Sequence, residues 1–191
     1  FLNLIFPTRC LGCQKPTDDL VVCRGCLESI PLNQTLFCGR CRLRLAENRK
    51  ICHKDYPFVL GAATSYSNEL AKELIHCLKF KFTKSAADAL GELLAKYING
   101  VGVPFKNFTV IPLPLSTKRL RERGFNQSEL IAEKFASRMG LTIQAGLLFR
   151  TRDAKPQSES RGAEERRVNV RGAFAIKSPS FVSRKNILLV D

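Results

Sequence analysis

Regularly spaced cysteines dominate the first quarter of the chain and restrict what it can fold into. They form three Cys-x2-Cys pairs, Cys10/Cys13, Cys23/Cys26 and Cys38/Cys41, and Cys52 follows the third pair. A Cys-x2-Cys pair on a tight turn presents two thiolates to one side of a metal, and two such pairs complete a tetrahedral Zn²⁺ site. The spacing therefore predicts a zinc-ribbon module over residues 1–56. Metal should supply much of its folding energy, because so short a segment cannot build a core from its few large apolar side chains.

The simplest pairing of these cysteines is sequential. One zinc would be held by the first four, Cys10, Cys13, Cys23 and Cys26. A second site would use the next three, Cys38, Cys41 and Cys52. Asp55 stands where a further Cys-x2-Cys pair would end and is the candidate fourth ligand; His53 is the better donor chemically, but adjacent residues rarely reach one metal together. An unoccupied second site, and an interleaved pairing in which the first and third knuckles share a zinc, both stay open.

The charge balance favours a polyanionic partner. The 191 residues include 31 Lys and Arg against 17 Asp and Glu, a net charge of +14, with 45% hydrophobic residues. The hydrophobic content is that of a globular protein, and the positive charge fits nucleic acid, a phosphorylated small molecule or an anionic membrane surface. No run approaches the ~18 apolar residues of a membrane span, and the opening "FLNLIFP" is too short for a signal peptide. We therefore expect a cytoplasmic protein whose cysteines bind metal and do not form disulfides.

From residue 57 the pattern changes to alternating strands and helices. Apolar runs predict strands at 58–66, 108–115 and 186–191, and helical periodicity predicts helices at 68–80, 85–98 and 127–140. This alternation predicts a parallel α/β sheet over residues 57–191. His76 and Cys77 are interpreted as ordinary helix residues. Ligands of such sheets bind beyond the carboxyl ends of the strands, so chemistry is expected after "VIPLPL" and at Asp191.

A basic stretch follows the strand at 108–115. Its hydroxyls, backbone amides and cations are suited to a diphosphate, because that group needs oriented donors and fixed positive charge. The candidate residues of this diphosphate loop and its rim are Ser116, Thr117, Lys118, Arg119, Arg121, Arg123, Gly124 and Asn126. Gly124 would allow close backbone approach, and Asn126 stands at the start of the next helix, whose N-terminus favours anions.

Four segments, in this order, carry a resemblance to a known family. "LIHCLKFKF", "VIPLPLSTKRLRERGFNQSELIA", "RDAKPQSESRGAEERRVNVRGAF" and "NILLVD" resemble the ComF family of competence-associated proteins, over nearly the whole chain. Members are phosphoribosyltransferase-like proteins with an N-terminal zinc ribbon. The resemblance implies a type I phosphoribosyltransferase-like sheet that binds 5-phosphoribosyl 1-diphosphate (PRPP) with Mg²⁺. A pyrophosphate loop, a mobile basic loop and an acidic strand-end motif would make the site.

The resemblance also assigns residues that composition alone does not. The charged segment 150–167 has the composition of an exposed disordered loop, and the resemblance makes it a lid. Its matching residues, with those that follow it, are Arg161, Arg166, Arg167 and Asn169. Asp191 matches the first acid of the motif Asp-Asp-x-x-Thr-Thr-Gly-x-Thr. We expect the domain to be truncated at Asp191, and a chain ending there to bind PRPP weakly.

Two functions follow from these features. The first is a PRPP-binding protein, enzyme or regulator, associated with DNA uptake or nucleotide metabolism; no residue stands out as a general base, and the acceptor is unnamed. The alternative is a zinc-ribbon protein that binds single-stranded DNA, or a scaffold for the uptake proteins, without catalysis. The ribbon is basic, but aromatic side chains suited to base stacking are nearly absent from it.

Overall fold

The chain forms two compact units. The computed structural model describes residues 8–17, 20–45, 52–53, 55–56, 58–152 and 162–191. The first unit is Phe1–Phe105 and the second is Lys106–Asp191. The first unit therefore extends past residue 56, where we placed the end of the ribbon module; that module boundary stays a prediction.

The cysteine-rich part of the first unit contains little regular structure. Its elements are a short helix α1 (Arg24–Glu28) and an antiparallel pair of two-residue strands, β1 (Phe37–Cys38) and β2 (Val59–Leu60). The strand predicted over 58–66 is thus short, and it pairs with a cysteine-bearing strand instead of joining the parallel sheet. Its path changes after Leu60 because Asn33 binds the next carbonyls: its side chain donates to Ala62 O and its backbone N–H to Ala63 O, both at 2.8 Å.

Two amphipathic helices complete the first unit, α2 (Glu69–Phe80) and α3 (Ala86–Gly100). Both predictions are confirmed within two residues. The Asn68 side chain caps α2 by accepting a hydrogen bond from Ala71 N at 2.9 Å. The two helices pack together through buried apolar faces, and the hydroxyl of Tyr97 on α3 donates to Thr35 O at 2.7 Å. This buried contact ties α3 to the cysteine-rich segment.

The second unit is built on a parallel sheet. Its elements in order are β3 (Phe108–Pro112), α4 (Thr117–Arg123), α5 (Gln127–Met139), β4 (Thr142–Ile143), β5 (Leu148–Arg150), α6 (Ala163–Val170), β6 (Phe174–Ile176), α7 (Pro179–Val182) and β7 (Asn186–Val190). Within the described residues, β4, β3 and β7 form a parallel sheet in that order, and β5 pairs with β6 in the antiparallel sense. The predicted fold class, α/β with a parallel sheet, is confirmed.

Helix α5 covers the sheet and sets the position of the strand ends. It packs on β3, β4 and β7 through Ile131, Ala132 and Phe135, each at most 8% exposed. Gly140 ends the helix with φ +63°, a left-handed conformation that glycine adopts without strain. Because β3 is the central strand, Val110 and Ile111 are buried, and the residues that follow Pro112 emerge at the carboxyl edge of the sheet.

Several elements were not predicted from the sequence, and α4 is one of them. Residues 117–123, read from the sequence as a loop, form α4. Ser116 caps it, its hydroxyl accepting from Arg119 N at 3.3 Å, and Gly124 ends it with φ +73°. The helix escaped prediction because it has no buried face: none of its residues is buried, so the sequence shows no apolar stripe. No helix in the described part of the chain combines the length and hydrophobicity that a bilayer crossing requires.

Candidate functional site

The cysteines of the first unit gather into two groups with the donor set of zinc. In each group the ligand atoms lie within 4.8 Å of one another. The first group is Cys10, Cys13, Cys23 and Cys26. The second is Cys38, Cys41, Cys52 and His53. The pairing is thus sequential, as the simplest prediction had it, and the interleaved arrangement is not adopted. Four thiolates, or three thiolates and an imidazole, are the ligand sets of structural Zn²⁺ sites, so both groups fit that ion.

In each group, backbone hydrogen bonds lower the pKa of one cysteine. Burial opposes ionisation of Cys10, but backbone N–H groups of Cys13, Cys23 and Gly12 donate to its sulfur and lower its pKa to about 6. Backbone N–H donation from Cys41 is the main reason that the pKa of Cys38 is also lowered to about 6. Thiolate is the form that binds metal, so these hydrogen bonds favour the ligating state.

The fourth member of the second group is His53 and not Asp55. The Nδ1 atom of His53 lies 3.1 Å from the sulfur of Cys52 and 3.4 Å from that of Cys38. The carboxylate of Asp55 instead accepts from Arg40 at 2.6 Å, in an ion pair whose side chains are both more than half exposed. The structure therefore does not support Asp55 as a ligand. Adjacent residues can share this site because the His53 ring turns back toward the thiols, which the sequence did not reveal.

In the second unit a cavity of about 250 Å³ opens where β3 ends. Its polar lining consists of Thr117, Asn126, Glu129, Arg150 and Lys177. Its apolar walls come from prolines and leucines on the β3 end, α4 and β5. Two cations and two neutral donors around a small cavity can hold an anionic group. Its position at the carboxyl edge of a parallel sheet agrees with the general rule for such folds.

Hydrogen bonds fix the mouth of this cavity. Asn126 donates from its side-chain amide to Leu113 O at 3.0 Å, while its Oδ1 accepts from Ser128 N at 3.1 Å and so caps α5. Arg150 donates from Nε to Pro114 O at 3.2 Å, and its guanidinium carbon lies 4.9 Å from the centre of the Phe174 ring. Asn126 and Arg150 therefore hold the segment after β3 from two sides.

An acid also faces the cavity. Glu129 lies on the first turn of α5 and is partly buried. Its pKa is raised, mainly by burial and additionally by the charge of Glu133. Glu129 therefore adds to the cavity lining a hydrogen-bonding group opposite in character to Arg150 and Lys177.

The other predicted residues of the diphosphate loop lie around the cavity rather than in its lining. Only Thr117 and Asn126 of that set line it. The remaining members are Ser116, Lys118, Arg119, Arg121, Arg123 and Gly124, which cap, form or end α4. Arg123, partly buried, donates to Gln127 Oε1 at 2.9 Å, and burial lowers its pKa.

Of the predicted strand-end acid and basic-loop residues, the structure describes the side chains of Asp191 and Asn169. Asp191, exposed at the end of β7, accepts through Oδ1 from the hydroxyl of the fully buried Ser128 at 3.1 Å. Asn169 lies on α6, where its backbone carbonyl accepts from Arg152 at 3.3 Å. Arg161 lies outside the described residues, as do the side chains of Arg166 and Arg167.

Sequence reasoning missed Arg150, Lys177 and Glu129. Arg150 ends β5 and Lys177 directly follows β6, so each is a basic residue at the end of a short apolar run. That pattern was the available signal, but each run has only three strand residues. Glu129 gave no signal, because acids are common in the first turn of a helix.

Comparison with known proteins agrees with the resemblance drawn from the sequence. Residues 1–54 match the family described as "Double zinc ribbon domain". The chain is 28% identical over 201 residues to the DNA utilization protein YhgH of Escherichia coli O157:H7, covering 98% of this chain and 85% of that protein. It is 27% identical over 199 residues to YhgH of Salmonella typhi, with the same coverage. It is 30% identical over 126 residues to the competence protein ComFC of Bacillus subtilis (strain 168), covering 65% of this chain and 43% of that protein. The resemblance to the ComF family is thereby confirmed, in a chain that carries an N-terminal double zinc ribbon.

Proposed function

We propose that the second unit binds PRPP and that the protein acts in DNA uptake or nucleotide metabolism. The observation that supports this proposal is the small cavity at the carboxyl edge of the parallel sheet, lined by Arg150 and Lys177. Drug-sized ligands occupy cavities of about 300–1,000 Å³, so a cavity of about 250 Å³ suits the compact diphosphate part of PRPP rather than a large molecule. The ComF resemblance supplies the identity of the ligand.

The lining residues have distinct roles in this proposal. Arg150 and Lys177 neutralise the diphosphate, while the hydroxyl of Thr117 and the amide of Asn126 orient its oxygens. Asp191 is offered to the ribose hydroxyls and to Mg²⁺, which binds proteins through one or two carboxylates together with substrate phosphates. Mg²⁺ would supply further charge neutralisation at the diphosphate.

If the protein is an enzyme, the reaction replaces the diphosphate at C1 of PRPP with an acceptor. The bond from C1 to the diphosphate oxygen breaks, the acceptor forms the new bond to C1, and diphosphate leaves with the electron pair. Arg150 and Lys177 would stabilise the charge that develops on the leaving oxygens. A binding protein or sensor would use the same contacts without the transfer, because one fold serves both purposes.

Isothermal titration with PRPP and Mg²⁺ tests the proposal. The proposal predicts a saturable isotherm for the unaltered protein. Arg150→Ala should weaken binding strongly, because it removes a cation and frees the Pro114 carbonyl. Arg150→Lys keeps the charge but loses the Nε contact. Its affinity for PRPP should therefore lie between those of the unaltered protein and Arg150→Ala.

Arg138→Ala is the matched control. Arg138 lies on the last turn of α5, is exposed, and is not among the residues that line the cavity. The Arg138→Ala substitution removes one positive charge from the same unit, as Arg150→Ala does, and should leave the isotherm unchanged. Equal weakening by the Arg138 and Arg150 variants would mean that net charge alone attracts PRPP. Absence of heat from the unaltered protein would refute the proposal.

A second candidate function is binding of single-stranded DNA by the first unit. Arg40, Arg42 and Arg44 are exposed on the ribbon, and the relatives include proteins named for DNA utilization. Such binding should weaken steeply with salt, because it depends on contacts to phosphates. A filter-binding salt series with and without PRPP separates the candidates: competition indicates a shared basic surface, and independence indicates two sites.

A further inference from the structure

The end of α2 carries two exposed phenylalanines set among lysines. Phe80 is the last residue of the helix and Phe82 follows it by two positions; they are 60% and 49% exposed. Lys79, Lys81 and Lys84 flank them in the sequence "KFKFTK". We call these five residues the aromatic–lysine surface. Two large rings so close together in the chain, and so exposed, leave apolar area in water that a binding partner would cover.

The rings and the charges are held by specific contacts. The Phe80 ring lies 4.9 Å from the ring of His76, one turn earlier on α2. Lys81 donates to Glu73 at 2.6 Å. These contacts order the side chains of Phe80 and Lys81 at the end of α2. A preordered aromatic surface loses less conformational entropy when a ligand stacks on it.

The backbone at Phe82 adds a second, independent observation. Phe82 has φ +55°, in the left-handed region that usually ends helices at glycine. The N–H groups of Lys81 and Thr83 both donate to the carbonyl of Cys77, so the chain turns sharply here. A bulky L residue is disfavoured in this conformation, and glycine would serve the turn at lower cost. A contact of the exposed ring with a partner would offset the backbone cost of phenylalanine at this position.

We propose that the aromatic–lysine surface binds a single-stranded nucleic acid by stacking bases on Phe80 and Phe82. Exposed aromatic rings interleaved with cations are what sequence-tolerant strand binding requires: the rings stack bases, and the cations contact the phosphates. Charge complementarity favours this ligand over an apolar protein segment, since Lys79 and Lys84 flank the rings in the sequence and the whole chain carries +14. The surface lies outside the cysteine-rich segment, where stacking aromatics are scarce.

This inference deepens the DNA-binding candidate and is independent of PRPP binding. It locates the base-stacking contacts on α2, whereas the ribbon arginines would contribute phosphate contacts only. The strand itself is DNA or RNA, and the two share the chemistry used here. Oligonucleotides dT20 and rU20 therefore serve as separate probes.

The test is fluorescence anisotropy of the zinc-loaded full chain with labelled dT20 and rU20. Phe80→Ala should weaken binding about 5- to 150-fold, the loss expected for one stacked base. Phe82→Gly should weaken it similarly while the melting temperature holds or rises by about 2–4 °C, because glycine relieves the left-handed backbone. Lys79→Ala should reduce the slope of log K against log salt by about one, whereas the phenylalanine variants should leave that slope unchanged.

Tyr66→Ala is the matched control, because Tyr66 is another aromatic residue of the first unit and is 69% exposed. It should bind both oligonucleotides as the unaltered chain does. Three results would overturn the inference: equal loss in the Tyr66 and Phe80 variants, unchanged affinity in both phenylalanine variants, or a Phe80 variant that changes only self-association in sedimentation. If Arg42→Ala and Arg44→Ala weaken binding while the phenylalanine variants do not, DNA binding by the ribbon stands and this inference falls.

Discussion

The identity of the fourth ligand in the second metal group can be decided by two substitutions only two positions apart. The structure places His53 Nδ1 within 3.4 Å of two of the group's sulfurs, and pairs Asp55 with Arg40 instead. We therefore expect His53→Ala to damage the second zinc site and Asp55→Ala to leave it intact. The two substituted positions are close together in the chain, so each variant is a control for the other.

The expected magnitudes are well separated. Structural zinc sites bind with an apparent free energy of about 10–16 kcal/mol over four ligands, so one ligand accounts for about 2.5–4 kcal/mol, or about 60- to 700-fold in affinity. The Asp55–Arg40 pair is exposed, and such pairs contribute at most about 1 kcal/mol to stability. Asp55→Ala should therefore change the melting temperature little and the zinc affinity not at all.

Zinc content by inductively coupled plasma mass spectrometry, followed by titration with a chromophoric chelator, measures both effects. The unaltered chain and Asp55→Ala should each hold two zinc ions and release them in the same two phases. His53→Ala should release its second ion at a much lower chelator concentration. Cys13→Ala should affect the other phase, because Cys13 belongs to the first group. Loss of a zinc ion from Asp55→Ala, with His53→Ala unaffected, would refute the assignment.

The remaining predictions concern stability. Tyr97→Phe should cost about 1–3 kcal/mol in urea unfolding, because it removes the hydroxyl that donates to Thr35 O in a buried position; an unchanged midpoint would show that the bond is replaced. Gly140→Ala should cost about 1–2 kcal/mol, since an L residue is strained at φ +63°; a calorimetric scan checks it, and a stabilised variant would contradict it. Lys81 lowers the pKa of Glu73 through their hydrogen bond, so the pair's stabilisation is present above the carboxyl group's ordinary value of 4.5 and is lost as pH falls through the lowered pKa. The stability difference between Lys81→Met and the unaltered chain should therefore shrink in acid denaturation curves, and a difference constant with pH would contradict it.

The elements predicted correctly are those whose buried residues form a recognisable apolar pattern in the local sequence. Helices α2 and α5 have apolar stripes with Asn at the start, and α5 has glycine at the end, so periodicity and caps both identify them. Strands β3 and β7 are short apolar runs, as expected for a sheet covered by a helix. Helix α4 lacks such a stripe and was therefore read as a loop. The 58–66 run was apolar enough for a central strand, but long-range contacts with Asn33 direct its path.

The metal groups and the cavity also combine features that local sequence predicts with features that only the tertiary structure shows. Cysteine spacing predicted both metal groups, because a Cys-x2-Cys pair fixes two ligands within a single turn. The fourth ligand depends on how a histidine ring turns relative to its neighbours, and spacing does not encode that. The cavity lies at the end of β3, where the sequence led us to expect a ligand site, and that expectation stays a prediction. Its cations come from β5 and the residue after β6, which only tertiary structure brings there.

The pairing of β3 with β7 has a consequence for how the second unit is made. Val110 lies opposite Leu188, 78 positions later in the chain, with the described helices α4 to α7 between them. At a synthesis rate of about 5–20 residues per second, β3 leaves the ribosome roughly 4–16 s before its partner exists. During that interval one edge of a strongly apolar strand has no neighbour from β7, and such an edge can pair with another nascent chain. The folding yield of this unit should therefore depend on translation speed and on chaperones that shield the edge, more than on the final stability of the sheet.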